Sequence, residues 1–411
     1  MKKILVVGVG TAGIITLGQM ASSLDDNWEI HSVYDPNIPI LGVGEATSTN
    51  APLAFFKGLG FNMAYDAERL SATFKYGVRY TNWREHTFDS LILPPNYAIH
   101  FDNTKLKEVG FERLKERYPN KFKSFEGTVE YMKNIDNGVE VKINNSIHVY
   151  DYVVDCGGFP KDYTGYTMVD LPINHALVAA VHKEGDWNYT HHWAHRNGWM
   201  FGIPLQHRQG WGYLYNDTIT SKEDALADMA SIIKVPKEDI KFREYTFKPY
   251  HASENLIDGR ILKNGNRYMF FEPMEALSME YYVRLNVEYI KLINGETSRQ
   301  KIINNTLFEV NGLISFYRYM YHGGSIYDTD FWRITKENTR NHLLADKQFL
   351  KMLAFYNDNA HRPDVSTAMT IQPFFAYTWE QFDKNLGYNY FKQVKKEITK
   401  PKVKIPGLLF G

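Results

Sequence analysis

Three glycines set the first chemistry that this sequence can do. Gly8-Val9-Gly10-Thr11-Ala12-Gly13 stands directly after the apolar run Ile4-Leu5-Val6-Val7, and Ile14, Leu17, Ala21 and Leu24 then recur at helical spacing. A strand that turns sharply into a helix needs Gly8, Gly10 lets the backbone approach a pyrophosphate, and Gly13 lets helix and strand pack closely. The start of the helix points free amide N–H groups and a partial positive charge at the phosphates. Trp28 to Tyr34 reads as a second strand, and Asp35 at its end is the acid expected to hold a ribose hydroxyl. These residues make a βαβ dinucleotide-binding start. No second GxGxxG follows. Either the bound cofactor is a flavin whose electrons come from elsewhere, or a nicotinamide sits transiently on a surface without a motif.

Other reactive residue types are sparse. His191, His192 and His195 invite a metal reading, and spacing would put His191 and His195 on one face of a strand, but no acid completes a ligand set and no metal is expected. Cys156 is the single cysteine, so neither an internal disulfide nor a multi-cysteine metal site can be built. A second glycine-rich loop, Leu41-Gly42-Val43-Gly44-Glu45-Ala46-Thr47, follows the βαβ start.

The elements that must position these groups follow from composition and pattern. The 411 residues carry 47 Lys+Arg against 47 Asp+Glu, a net charge of zero that argues against nucleic acid and against a polybasic membrane anchor as partners. No stretch approaches about 20 apolar residues, so no membrane span is expected. The short apolar run after Met1-Lys2-Lys3 suits a core strand better than a signal peptide. A reducing, cytoplasmic setting is the expectation.

Helices are expected at Ala51 to Leu59 and Lys105 to Arg117. A strand is expected at Phe74 to Tyr80, and a hairpin turning at Asn144-Asn145. Tyr152-Val153-Val154 reads as a buried strand leading into Asp155-Cys156-Gly157-Gly158-Phe159. Leu177 to Tyr215 is strand-like, and from Pro273 onward the chain is mostly helical, with a Lys-rich tail after Gln393. The expected class is α/β with an α+β insert. A discontinuous nucleotide-binding domain would use residues 1–85, 125–175 and 255–290, a substrate sheet region 86–124 and 176–254, and a C-terminal helical region 291–411.

Four segments together resemble the flavin-dependent halogenases of the tryptophan halogenase type: Gly8 to Gly13, Leu41 to Thr47, Ala72-Thr73-Phe74-Lys75 running to Asn82-Trp83, and Phe271-Glu272-Pro273-Met274-Glu275. Asp155 to Phe159 and Asp328-Thr329-Asp330-Phe331-Trp332 support them. The resemblance implies a flavin monooxygenase-like fold with a Rossmann-type FAD-binding domain. It implies that FAD, reduced by a separate flavin reductase, acts with oxygen and a halide ion to give hypohalous acid. That reagent passes through the protein to a small electron-rich aromatic substrate. The implied cofactor contacts are Gly8, Val9, Gly10, Thr11, Ala12, Gly13, Asp35, Ile38, Val43, Gly44, Glu45, Ala46 and Val129.

The family's catalytic lysine falls on Lys75 and its glutamate on Glu275. A lysine can hydrogen-bond and polarise hypohalous acid, or capture its halogen as a haloamine, and desolvation makes the amine form accessible. A carboxylate beside it can take the proton from the halogenated ring. Halide is implied on the backbone amides of Leu277 and Ser278, where the family's small Ser-Thr-Gly is replaced by Ala276-Leu277-Ser278. In Gly198-Trp199-Met200-Phe201-Gly202-Ile203-Pro204, Phe201 replaces the second of two tryptophans; Trp199, Phe201 and Pro204 are the implied tunnel and pocket residues.

Between Trp83 and Tyr97 lie only residues 84–96, where tryptophan halogenases carry a long insertion, so a more open substrate pocket is expected. Trp379 and Phe374-Phe375 serve as pocket walls or as ordinary core. The leading reading is a two-component halogenase. An FAD-dependent aromatic monooxygenase that hydroxylates and a non-catalytic flavin-binding protein are its rivals. A homo-oligomer is compatible with all three.

Overall fold

The computed structural model describes residues 1–92, 96–252, 254–362, 364–365 and 369–392. The Lys-rich tail after Gln393 lies outside them. The first layer is a six-stranded sheet in the order Ile257–Asp258, Ile261–Lys263, Tyr152–Asp155, Lys2–Val7, Trp28–Tyr34, Phe122–Glu126. Four of its five pairings are parallel, with Ile4 opposite Ile30 on one side and Tyr152 on the other. Ile4, Leu5 and Val6 are wholly buried, as a strand covered on both faces must be.

Helix Thr11–Ser23 packs on this sheet and is covered in turn by helices Asn50–Leu59, Leu106–Arg117 and Ser278–Ile293. The segment 86–124 is therefore divided. Phe88–Leu91 joins the second sheet, whereas Leu106–Arg117 and Phe122–Glu126 build the nucleotide-binding layer. A three-stranded antiparallel sheet, Val129–Ile135, Gly138–Ile143 and Ser146–Tyr150, carries the expected hairpin. Asn144 and Asn145 turn it at φ 45° and 65°, the left-handed pair that matches strand twist.

The second layer is a seven-stranded sheet in the order Phe242–Thr246, His175–Val181, Gln209–Tyr215, Gly198–Pro204, Thr190–His195, Gly77–Thr81, Phe88–Leu91. Alternation sorts its two faces. Met200, Trp211 and Tyr213 pack under helix Lys222–Ile233 with Leu177 and Met229, while Trp199, Phe201 and Ile203 belong to the main core.

The expected strand Phe74 to Tyr80 is broken in two. Thr73–Lys75 pairs with Ala98–His100 in a separate ribbon, and Gly77–Thr81 joins the seven-stranded sheet. Gly77 sits at φ 157°, and a Cβ there would lie 2.4 Å from the Ser90 carbonyl oxygen, so only glycine makes this junction. Helices Arg299–Tyr321, Asp330–Ala345, Lys347–Asn359 and Ala376–Leu386 follow in the C-terminal part of the described residues. Among the described residues no helix is long and apolar enough to cross a membrane.

Candidate active site

The glycine turn has the geometry its spacing implies. Gly8 is at φ 89°, and a Cβ on it would meet the Cys156 carbonyl oxygen at 2.6 Å; a Cβ on Gly13 would meet the Gly8 carbonyl oxygen at 2.1 Å. Gly10 differs, because nothing lies within 4 Å of where its Cβ would stand. Two glycines close the turn on itself, and the middle one leaves backbone open on the outside. Gly44, at φ 84°, is open in the same way. This backbone cradle fits the diphosphate of a dinucleotide.

Asp35 sits at the end of its strand. It accepts hydrogen bonds from Thr128 Oγ1 at 2.6 Å and from the Asn37 amide at 2.9 Å, which hold its carboxyl below the usual range. Ile38 is exposed, and Val129 is half-buried at a bulge of the neighbouring sheet.

The second glycine loop is tied inward. Asn103 Nδ2 donates to the carbonyls of Leu41 and Val43. Ala46 bridges to His100, and Thr47 Oγ1 exchanges hydrogen bonds with the backbone of Ile99. The Glu45 side chain is buried under Arg208, which binds both of its oxygens and also reaches Asp102 at 3.3 Å. Burial outweighs Arg208 and pushes Glu45 up to about 7. Glu45 thus shapes the loop from inside, and Val43, Gly44 and Ala46 offer backbone.

Lys75 is buried, with 2% of its surface exposed, because the strand ending at Lys75 turns it inward while Phe74 and Tyr76 face out. Its ammonium donates to the Thr47 carbonyl at 3.0 Å, which uses one of three N–H donors. Burial pushes it down to about 8, against the pull of Glu275.

Glu275 comes from a distant stretch of the chain and is buried in the same region. The turn Met274–Ala276 precedes helix Ser278–Ile293, and it is no regular helix start: Glu275 and Ala276 lie at φ 60° and 55°. Two successive side-chain-bearing residues in left-handed backbone cost about 1–3 kcal/mol each. The strain aims the Glu275 carboxyl back at the sheet, where Tyr80 Oη donates to it at 2.6 Å. Burial raises the carboxyl above its ordinary value; Lys75 is the largest opposing influence, followed by Tyr80 and Ser90. The lysine and glutamate therefore share one buried environment.

The amides of Leu277 and Ser278, at this helix start, donate to no protein acceptor among the described residues. The helix itself carries its first acid at Glu280, which is turned away to Ser48 and Asn50.

Around this pair stands a layer of buried aromatic and polar groups. Trp199 is fully buried, and its Nε1 donates to Tyr321 Oη at 2.6 Å; Tyr321 Oη donates in turn to the Glu272 carboxyl at 3.2 Å. Burial pushes Glu272 up to about 8. The far end of the Phe201 ring lies against Gly212, where any side chain would collide with it at 2.2 Å. The Pro204 carbonyl accepts from Thr73 Oγ1 at 2.7 Å.

The short segment after Trp83 does not leave the pair exposed. Helix Ala376–Leu386 packs against strand Phe88–Leu91, and Phe382 meets the Tyr80 ring at 5.8 Å. Trp379 is core, packed on Phe316, Tyr319 and Phe349, with Nε1 donating to the Ile371 carbonyl. Phe374 packs with Phe316, while Phe375 is exposed and stacks on Tyr377.

The three histidines of the middle strand do not converge. His191 lies among Trp187, Tyr189 and Trp193, His195 faces Asp228 at 2.9 Å, and His192 points to the opposite face. Among the described residues no group of three His, Cys, Asp or Glu is placed to hold a metal. The Cys156 thiol is buried beside Thr16, and burial pushes it up to about 12.

Tyr80, Thr47 and Tyr321 are absent from the sequence-based set. Each reaches its partner across strands or from a distant helix, and no local spacing marks it.

The sequence model of the family described as Tryptophan halogenase matches residues 3–93 and 88–362. The chain belongs to the tryptophan halogenase family. It is an enzyme of the flavin-dependent halogenase class, with that class's fold and its Rossmann-type FAD-binding domain. The tryptophan 7-halogenase RebH of Lentzea aerocolonigenes is 22% identical over 424 residues, covering 82% of this chain and 79% of that protein. The crystal structure of a tryptophan halogenase from Shewanella frigidimarina superposes with a TM-score of 0.78 at 18% identity, over 98% of this chain and 91% of that one. Xcc4156, a flavin-dependent halogenase from Xanthomonas campestris, gives 0.77 at 18% identity, over 94% and 89%.

Proposed function

We propose that this halogenase works on an electron-rich aromatic of indole or phenol type, with Lys75 and Glu275 as its catalytic residues. The observation that carries the reading is that these two side chains, from distant stretches of the chain, are both buried, Lys75 held by the Thr47 carbonyl and Glu275 by Tyr80 on the next strand.

FAD would be held by the turn Gly8, Val9, Gly10, Thr11, Ala12 and Gly13, with Asp35 and Ile38 at the next strand end, Val43, Gly44, Glu45 and Ala46 in the second loop, and Val129 beside them. The open backbone at Gly10 and Gly44 supports this set. When bound in reduced form, FAD supplies the electrons by which oxygen and halide yield hypohalous acid. A separate flavin reductase would provide that form, since the sequence carries no second dinucleotide motif. Halide would rest on the Leu277 and Ser278 amides. Trp199, Phe201 and Pro204 would form the wall between cofactor and substrate.

Lys75 keeps two N–H donors beyond its bond to Thr47, and these would grip the oxygen of hypohalous acid and polarise its halogen. In the amine form the lysine nitrogen would take the halogen and release water. After the halogen adds to the ring, Glu275 would accept the ring proton, with Tyr80 holding one carboxyl oxygen in place.

The test supplies FAD, a flavin reductase, oxygen and chloride, bromide or iodide with indole or phenol, and reads product mass. Halogenated product that disappears in Lys75→Ala is the expected result. Hydroxylated product formed without halide would replace this reading with an aromatic monooxygenase. Peroxide alone with flavin retained would leave a binding protein.

A further inference from the structure

Two buried histidines flank Lys75, and they are treated differently. Each is wholly buried and lies close enough for the lysine's charge to act on it. His100 is fully partnered, its Nδ1 to Thr73 Oγ1 at 3.2 Å and its Nε2 to Thr190 Oγ1 at 2.9 Å. Among the described residues His192 has no hydrogen-bond partner at either ring nitrogen. A buried polar atom without a hydrogen bond is costly and rare, and two on one ring in a functional region point to a ligand group that meets them.

The position fits the substrate side of the site. His192 is the cross-strand partner of Tyr80 in parallel register and of Phe201 in antiparallel register. Its ring stands edge-on to Tyr80 at 5.1 Å and tilted against Trp199 at 4.8 Å. Tyr80 is the residue that holds Glu275. His192 therefore shares a sheet face with the Glu275 clamp and with both residues of the aromatic wall.

The chemistry decides which partner it takes. Lys75 already supplies unspent donors, while acceptors are scarce, since one Glu275 oxygen is used by Tyr80. Burial, Lys75 and His191 keep the imidazole neutral, so one ring nitrogen is a lone-pair acceptor.

We propose that His192 accepts the hydrogen bond of the organic substrate's own donor, so that this enzyme selects aromatics carrying a ring N–H or a phenolic O–H over their methylated counterparts. This rests on the halogenase reading above. The hydrogen sits on the same nitrogen or oxygen whose lone pair makes the ring electron-rich, so gripping it fixes which ring carbons face Lys75.

The test compares indole with 1-methylindole, and phenol with anisole, in the wild type and in His192→Phe, which keeps a ring between Tyr80 and Trp199 and removes both nitrogens. Turnover is read by product mass and binding to the FAD-loaded protein by calorimetry. The expected result is a wild-type preference for indole of about tenfold or more in kcat/KM, carried by KM, that falls to near one in His192→Phe. His192→Gln, which restores an acceptor, recovers part of the preference; His192→Leu stands in should the phenylalanine variant fail to fold. An unchanged preference in the folded variants, or a glutamine variant that behaves like phenylalanine, overturns the proposal. A wild type that halogenates indole and 1-methylindole equally sinks it and leaves the halogenase reading standing. A wild type that makes no halogenated product, but binds indole selectively only through His192, does the reverse.

Discussion

The glycine cradle and the Lys75–Glu275 site solve opposite problems. At the cradle the chain offers main-chain N–H groups at an open turn, and the side chains there are small or absent because they would be in the way. At the Lys75–Glu275 site it buries charged and polar side chains that water would otherwise solvate, and the cost appears in a lysine pushed down and two glutamates pushed up. Binding a phosphate needs only the shape of the backbone. Directing a short-lived electrophile needs groups whose charge is held away from solvent, and each is stabilised by a partner from elsewhere in the chain.

Substitutions can break this contrast, and the largest effect is expected at Lys75. Lys75→Ala should lower halogenation by about 10³-fold or more while FAD affinity, read by flavin fluorescence, stays within about twofold. Loss of flavin binding instead would merge the two regions into one. Glu275→Gln should follow at about 10²–10³-fold in kcat, with the same unchanged flavin titration.

The cradle is tested by a pair of changes. Gly13→Ala places a methyl 2.1 Å from the Gly8 carbonyl oxygen and should destabilise the flavin-free protein by about 1–3 kcal/mol, seen in denaturant unfolding. Gly10→Ala meets no protein atom and should leave flavin-free stability nearly unchanged while weakening FAD binding. Equal stability losses in both would refute the division between closing and opening glycines.

The smallest effect is a matter of pH. The folded-state value of Glu272 is raised to about 8, so between the ordinary carboxyl range and pH 8 the folded protein holds a proton that the unfolded chain has lost. This group's contribution to stability therefore falls as pH rises through that window. In Glu272→Gln the melting temperature relative to the wild type should climb from pH 5 to pH 8. A constant offset would mean that Glu272 is not held protonated.

The sequence made the cradle legible because its chemistry is local. Gly8, Gly10 and Gly13 lie within six residues, between an apolar strand and a periodic helix. The hairpin at Asn144-Asn145 was similarly readable from alternation and turn residues. Lys75 and Glu275 were reachable only through the blocks that surround them, since a lysine in a short strand and a glutamate after a proline are unremarkable by type. The roles of Tyr80 and Thr47 were not legible, because Tyr80 meets a turn from a distant stretch of chain and Thr47, though inside the second glycine block, acts through its backbone carbonyl. The division of residues 86–124 between two layers escaped for a related reason: helix Leu106–Arg117 and strand Phe122–Glu126 show ordinary amphipathic patterns that do not say which sheet they will join.

The break at Gly77 carries a consequence for the reaction. Lys75 ends one ribbon, Tyr80 lies within another sheet, and Tyr76-Gly77 joins them. A single glycine thus joins the strand that carries the cation to the strand whose Tyr80 holds the carboxylate. A side chain added at that joint would collide with the Ser90 carbonyl, so the ribbon that carries Lys75 and the sheet that carries Tyr80 could only be rejoined by moving one against the other.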